Sequence, residues 1–147
     1  MTYAEIILAA AKTAKVSGSL LLAICTHETN LTNIVVYNDG NSPSYGICQI
    51  KLETAKMIGF KGRAKDLINP QVNAKWAALY LKYQEQRYGA NKWCEMTAAY
   101  NAGSFSESKK FPGKPRNLKY VRRVQKNLDE ELKNKLSCEP KELAENL

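Results

Sequence analysis

Glu28 ends the most apolar stretch of a 147-residue chain, following Leu20-Leu21-Leu22-Ala23-Ile24-Cys25 with only Thr26 and His27 between. In a helix, Ile24 lies one turn behind this carboxyl and Leu21 two turns behind, so Glu28 continues a core-facing stripe. Apolar surroundings disfavour the charged form of a carboxyl, and the negative end of a helix dipole acts in the same direction. A group so placed is expected to hold a proton near neutral pH, which suits a general acid that protonates the leaving oxygen of a glycosidic bond. A helix-end glutamate facing water has the same local sequence, so Glu28 alone does not fix the chemistry. His27 adjoins it, but successive helical residues point about 100° apart, and structural packing is the expectation for that side chain.

Two further segments supply polar groups of the kind that hold sugars. Asp39-Gly40-Asn41-Ser42-Pro43-Ser44-Tyr45-Gly46-Ile47-Cys48-Gln49-Ile50 sets two glycines and several small polar residues before an apolar pair. Glycine lets backbone approach a ligand closely, and Gln49, interrupting an apolar run, offers a donor and an acceptor to hydroxyl or acetamido groups. Read more plainly, the segment is a loop with one solvated glutamine. Ala98-Ala99-Tyr100-Asn101-Ala102-Gly103 flanks a phenol and an amide with small residues, leaving room for a polymer chain to lie close. Helix-stop signals account for Asn101 and Gly103 there, but not for Tyr100.

The elements that must carry these residues are mainly helical. Thr2 with Glu5 resembles a capping box, and Tyr3 to about Thr13 reads as a first helix ended by Val16-Ser17-Gly18. Ser19 is the expected cap of a second helix, apolar on every side from Leu20 to Cys25 and so enclosed by the rest of the domain. Residues 30–44 read as an irregular loop with a short strand at Ile34-Val35-Val36-Tyr37. A short helix is expected from Leu52 to Ile58, closed by Gly59. Asn69 and Pro70 open a long helix that runs to about Tyr88. Trp93 to Tyr100 forms another, stopped by Asn101-Ala102-Gly103, and residues 104–116 read as a mobile surface loop. From Asn117, the spacing of Val121, Val124, Leu128 and Leu132 predicts one last helix to about residue 137, followed by a frayed tail over 138–147. No internal repeat or second domain is expected, so the chain reads as one domain spanning 1–147.

In order, the three polar segments resemble the motifs of the soluble lytic transglycosylase domain and its goose-type-lysozyme relatives, over roughly residues 17–124. Cys25-Thr26-His27-Glu28-Thr29-Asn30-Leu31 stands where that family carries its catalytic glutamate. Ser44-Tyr45-Gly46-Ile47-Cys48-Gln49-Ile50 is similar to its Gly-Leu-Met-Gln segment, and Ala99-Tyr100-Asn101-Ala102-Gly103 matches its Ala-Tyr-Asn-Ala-Gly motif. Thr29 stands for the usual Ser and keeps a hydroxyl, whereas Cys48 replaces the usual Met with a smaller group. The resemblance implies a mainly α, lysozyme-like domain with helices around a central buried helix and a small irregular or β segment near residues 31–50. It further implies cleavage of the β-1,4 bond between N-acetylmuramic acid and N-acetylglucosamine in peptidoglycan, with 1,6-anhydro ends and no cofactor. Glu28 and Tyr100 are then the catalytic pair, and Thr29, Ser44, Tyr45, Gln49 and Asn101 bind sugar. Asp39 is the candidate second carboxylate of a hydrolytic, goose-type alternative that positions a water.

Charge and composition leave other classes to weigh. Twenty-two Lys plus Arg against 14 Asp plus Glu give a formal +8, which favours an anionic partner such as wall polymer, membrane surface or nucleic acid. Lys119, Arg122, Arg123 and Lys126 share one helical face that could track phosphates, though no recognised nucleic-acid motif accompanies them. A wall-binding module without catalysis is a third reading, against which the presence of Glu28 and Tyr100 argues. Cys25, Cys48, Cys94 and Cys138 form no CxxC pair, so no metal site is expected. Two of them lie in apolar runs and read as small buried thiols of a reduced compartment. No stretch reaches the roughly 20 apolar residues of a membrane span, and Glu5 precedes the N-terminal apolar run where a signal peptide has positive charge. A monomer acting on the cell wall without its own export signal is therefore expected, for which a bacteriophage endolysin or virion component is one source and a secretion-system enzyme another.

Overall fold

A computed structural model describes residues 1–138, which fold as two compact units, Met1–Tyr83 and the residues from Gln84 onward. The first unit begins with α1, Tyr3–Ala14, where the Glu5 amide donates to Thr2 Oγ1 at 3.1 Å. Lys15 adopts a left-handed conformation, φ 60°, and ends the helix. Ser17, not the expected Ser19, caps α2, Gly18–Thr29, by accepting the Leu20 amide at 3.1 Å. The cap moves because the turn at Lys15 leaves Ser17 extended with the third helical amide already within reach. Leu20, Leu21, Ile24 and Cys25 are fully buried, so α2 is the enclosed helix that its composition demands. Each large aliphatic side chain there contributes roughly 2 kcal/mol. Helix α1 packs against α2 and buries Ile7 and Ala11.

The loop expected to hold one strand contains a hairpin instead. Strands β1, Val35–Asp39, and β2, Ser42–Tyr45, are antiparallel, pairing Val35 with Tyr45, Val36 with Ser44 and Asp39 with Ser42. The Ser-Pro-Ser composition of β2 hides it from propensity. Pro43 is tolerated because it falls in the irregular stretch of the register, where no ladder bond is required of it. Helix α3, Leu52–Met57, is tied to the hairpin by Ser42 Oγ donating to Glu53 Oε1 at 2.6 Å and by Lys51 Nζ donating to the Asp39 carbonyl. A 3-10 turn at Ala64–Ile68, absent from the sequence expectation, leads to α4, Pro70–Tyr88. Its start is the expected one, with Asn69 Oδ1 accepting the Gln71 and Val72 amides at 3.0 and 3.2 Å.

In the second unit, α5 spans Trp93–Ala102, two residues beyond the expected end, and Gly103 supplies the cap at φ 89°. The single helix expected over 117–137 is overturned. Helix α6, Leu118–Gln125, stops, α7 occupies Glu130–Lys133, and a 3-10 turn covers Asn134–Leu136. Asn127 and Asp129 favour local turns over helix interior. Asp129 is extended, and Gln125 Nε2 donates across the break to the Lys133 carbonyl at 2.8 Å. Val121 and Val124 face inward while Lys119, Arg122, Arg123 and Lys126 are exposed, as the periodicity requires.

The thiol expectation is also overturned: Cys25 bonds Cys48 and Cys94 bonds Cys138, with no free cysteine among the described residues. Spacing along the chain carries no information on which sulfurs meet, which is why only the burial of Cys25 and Cys48 was legible. Cys138 is therefore part of the fold rather than of a frayed tail, and the rest of that expectation, residues 139–147, lies outside the described residues.

Two outcomes follow. Cys94→Ala with Cys138→Ala opens a loop of sequence separation 44 and is expected to cost about 3–4 kcal/mol, read by chemical denaturation. Glu53 lies below the ordinary glutamate range because the Ser42 hydroxyl, its own backbone amide and nearby Lys51 favour the carboxylate over the opposing desolvation. A lowered folded value contributes stability at neutral pH that disappears as pH falls through that value. Glu53→Gln is thus expected to lower stability by roughly half a kcal/mol or less at neutral pH, because the side chain is exposed. The gap between the two proteins' melting curves should close in acid.

Candidate active site

The second polar segment folds into a tight turn, Gly46-Ile47-Cys48-Gln49, closed by reciprocal backbone bonds between Tyr45 and Ile50 at 2.9 and 3.0 Å. Gly46 and Gln49 both take positive φ, 79° and 55°. Gly46 has no alternative, because a Cβ there would stand 2.3 Å from Asn73 Nδ2. Gln49 carries a side chain in a region costing about 1–3 kcal/mol, so something must hold it there. Its own amide helps, donating to the Gly46 carbonyl at 3.0 Å and the Ile34 carbonyl at 3.3 Å.

Three ties from other elements converge on this turn. Asn73, fully buried on α4, accepts the Cys48 amide at 2.9 Å and donates to the Tyr45 and Leu67 carbonyls at 2.7 and 2.8 Å. Thr29, at the end of α2, donates to the Ile47 carbonyl at 2.8 Å. Cys25, one turn earlier on the same helix, is disulfide-bonded to Cys48. Glu28 lies between these last two attachment points and is half-buried. The chain beyond it is also unusual: Asn30 and Leu31 follow at φ 53° and 56°. Among the described residues, three of the four non-glycine residues with positive φ thus belong to the segments around Glu28 and Gln49. Such strain persists only where surrounding structure over-determines it, and it concentrates at functional sites.

Ser44 is 1 % exposed, and its hydroxyl donates to Asp39 Oδ2 at 2.5 Å, so in this structure it secures the hairpin. Asp39 is exposed near the hairpin tip, and Tyr45 is half-buried. Thr29 is 9 % exposed with its hydroxyl turned to the Ile47 carbonyl. In the second unit, Tyr100 is 6 % exposed near the end of α5. Asn101 is exposed, and its Oδ1 accepts from Asn117 Nδ2 at 2.8 Å. The Gly103 carbonyl accepts from Gln84 Nε2 at 3.2 Å and from Arg87 at 2.7 Å, which fastens the end of the motif-bearing helix to α4. No group of three or more metal-ligating side chains converges among the described residues. No described helix is long and apolar enough to cross a membrane.

Sequence reasoning missed Asn73 and the Cys25–Cys48 bridge. A signal existed for the first, an asparagine beside Ala74 and Ala77 on a buried helical face, and none for the second, since sequence does not record which sulfurs meet. Asn73→Ala takes a hydrogen-bond partner from the buried Cys48 amide and Leu67 carbonyl and one of two from the Tyr45 carbonyl, which keeps the Ile50 amide. It is expected to cost on the order of 3 kcal/mol, measured by urea unfolding.

Comparison with known proteins gives a family and a fold. The transglycosylase SLT domain family matches residues 5–122, a span that covers most of the first unit and reaches into the second. A search of curated proteins found no match. Among solved structures, the chain is similar to an inactive glutamate-to-glutamine mutant of the lytic transglycosylase Slt from Pseudomonas aeruginosa, at TM-score 0.60 and 19 % identity. That likeness covers 90 % of this chain and 22 % of the Slt chain, so the chain spans about a fifth of the larger enzyme and shares its helical, lysozyme-like fold. With the family model matching most of the sequence, the chain belongs to the transglycosylase SLT domain family.

Proposed function

We propose that the chain is a peptidoglycan lytic transglycosylase with Glu28 as its one essential carboxyl. Glu28 donates its proton to the oxygen leaving C1 of N-acetylmuramic acid, then accepts a proton from the C6 hydroxyl of the same sugar. That hydroxyl attacks C1 and closes the 1,6-anhydro ring, so the bond is exchanged and no water enters. The substrate's acetamido group takes the part that a second carboxylate plays in most glycosidases. Tyr100, Gln49, Tyr45 and Asn101 are assigned to orientation and sugar binding by the family motifs they match. Ser44 and Thr29 act behind them through the backbone they hold.

The observation that carries this reading is the fastening of the Glu28 helix to the Gln49 turn on both sides of the carboxyl. A general acid contributes only if its position is fixed relative to the bond it protonates. Two disulfides suit a protein working outside the reducing cytoplasm, where peptidoglycan lies. The related Slt structure is itself that of an inactive glutamate-to-glutamine mutant.

Digestion of purified peptidoglycan followed by mass spectrometry tests the proposal. The wild-type chain is expected to release muropeptides lacking the mass of one water, and Glu28→Gln to lower the rate about a thousandfold while keeping the fold. Products carrying added water, together with loss of activity in Asp39→Asn, would instead identify a hydrolase that uses Asp39.

A further inference from the structure

The Cys25–Cys48 bridge sits where a structural disulfide has an unusual consequence. Both residues are 0 % exposed. Cys25 lies three positions before Glu28, on the same face of α2, and Cys48 directly precedes Gln49. The bridge therefore joins the two motif segments of the first unit, holding their backbones at a Cα separation of 4.4 Å. Hydrogen bonds support it: Thr29 of α2 donates to the Ile47 carbonyl, and Asn73 and the Gln49 side chain hold the turn from other directions. Against them stands the positive φ of Gln49, which pulls the turn toward a relaxed conformation. The bridge is the covalent attachment between α2 and the turn, and it fixes their separation where hydrogen bonds alone leave room for small displacements.

We propose that closure of the Cys25–Cys48 bridge positions the Glu28 helix against the Gln49 turn, so that the chain is folded but nearly silent as a dithiol and becomes active on oxidation. The inference rests on the transglycosylase reading above. Oxidation proceeds by thiol–disulfide exchange with a disulfide-bearing oxidant. One cysteine thiolate attacks the oxidant's S–S bond to form a mixed disulfide, and the second displaces it. The protein gains one S–S bond, and the oxidant leaves as two thiols that carry away the two electrons and two protons. Because both sulfurs are buried in the product, exchange occurs before the turn has closed, and the finished bridge is shielded from later reduction. A chain made in a reducing compartment would then spare the wall from within and acquire activity where it is needed.

The test refolds the full chain from denaturant, once with oxidised glutathione and once with a phosphine reductant, beside Cys25→Ala/Cys48→Ala and the control Cys94→Ala/Cys138→Ala. Circular dichroism melts give the folded fraction, and initial rates on soluble glycan strands give kcat and KM. The reduced chain and Cys25→Ala/Cys48→Ala are expected to fold, with kcat lowered on the order of tenfold to a hundredfold and KM little changed. Oxidised glutathione should restore the reduced wild type but not the variant. The control, corrected for its folded fraction, should keep the kcat of the oxidised chain. Equal kcat for folded reduced and oxidised chains overturns this inference alone. So does a loss of activity that merely tracks unfolding, since the bridge would then act through stability and not through position. An oxidised chain that never cleaves glycan strands removes the transglycosylase reading and this inference together.

Discussion

The first unit is organised around one constraint, that a four-residue turn with two left-handed positions must be held against the end of a buried helix. The turn at Gly46–Gln49 does not hold itself: its closing bonds between Tyr45 and Ile50 fix its ends, while Gln49 remains in a conformation that costs about 1–3 kcal/mol. A typical hydrogen bond contributes only about 1 kcal/mol net. The shape therefore depends on several attachments acting at once. Asn73 holds the turn from below, Thr29 from the side, and the Cys25–Cys48 bridge covalently.

Those attachments explain why the surrounding elements have the composition they do. Helix α2 is apolar all round because it is enclosed, and that enclosure is what makes its final turn a rigid mount for Glu28. Gly46 is small because Asn73 lies directly beneath it. Asn73 is polar in an otherwise alanine-rich part of α4 because three backbone groups of the turn region and Leu67 need a single residue that both accepts and donates. In the second unit, Gln84 plays a comparable part, using its buried amide to fasten the Gly103 carbonyl at the end of the helix that bears Tyr100.

The departure at Cys48 from the usual family residue takes on a different meaning in this light. As a sequence, Cys48 is a smaller group where the family packs a methionine, which suggests a change in contact with substrate. In the structure its sulfur is bonded to Cys25 and buried, so this residue works through backbone position.

Much was legible in the sequence. The helices α1 to α5, the caps at Thr2 and Asn69, the enclosed character of α2 and the basic outer face of α6 all follow from local signals, since periodicity and capping act within a few residues. Glu28, Gln49 and Tyr100 stood out because a polar group interrupting an apolar run is a local anomaly. What tertiary structure alone decided was everything that depends on partners distant in sequence. The second strand of the hairpin exists because β1 supplies its pairs, the last helix breaks so that Gln125 can reach Lys133, and Asn73 matters only because a turn 25 residues away rests on it. The cysteine pairing belongs to the same class. A sulfur's partner is set by where two chain segments meet in space, and no residue type or spacing records that meeting.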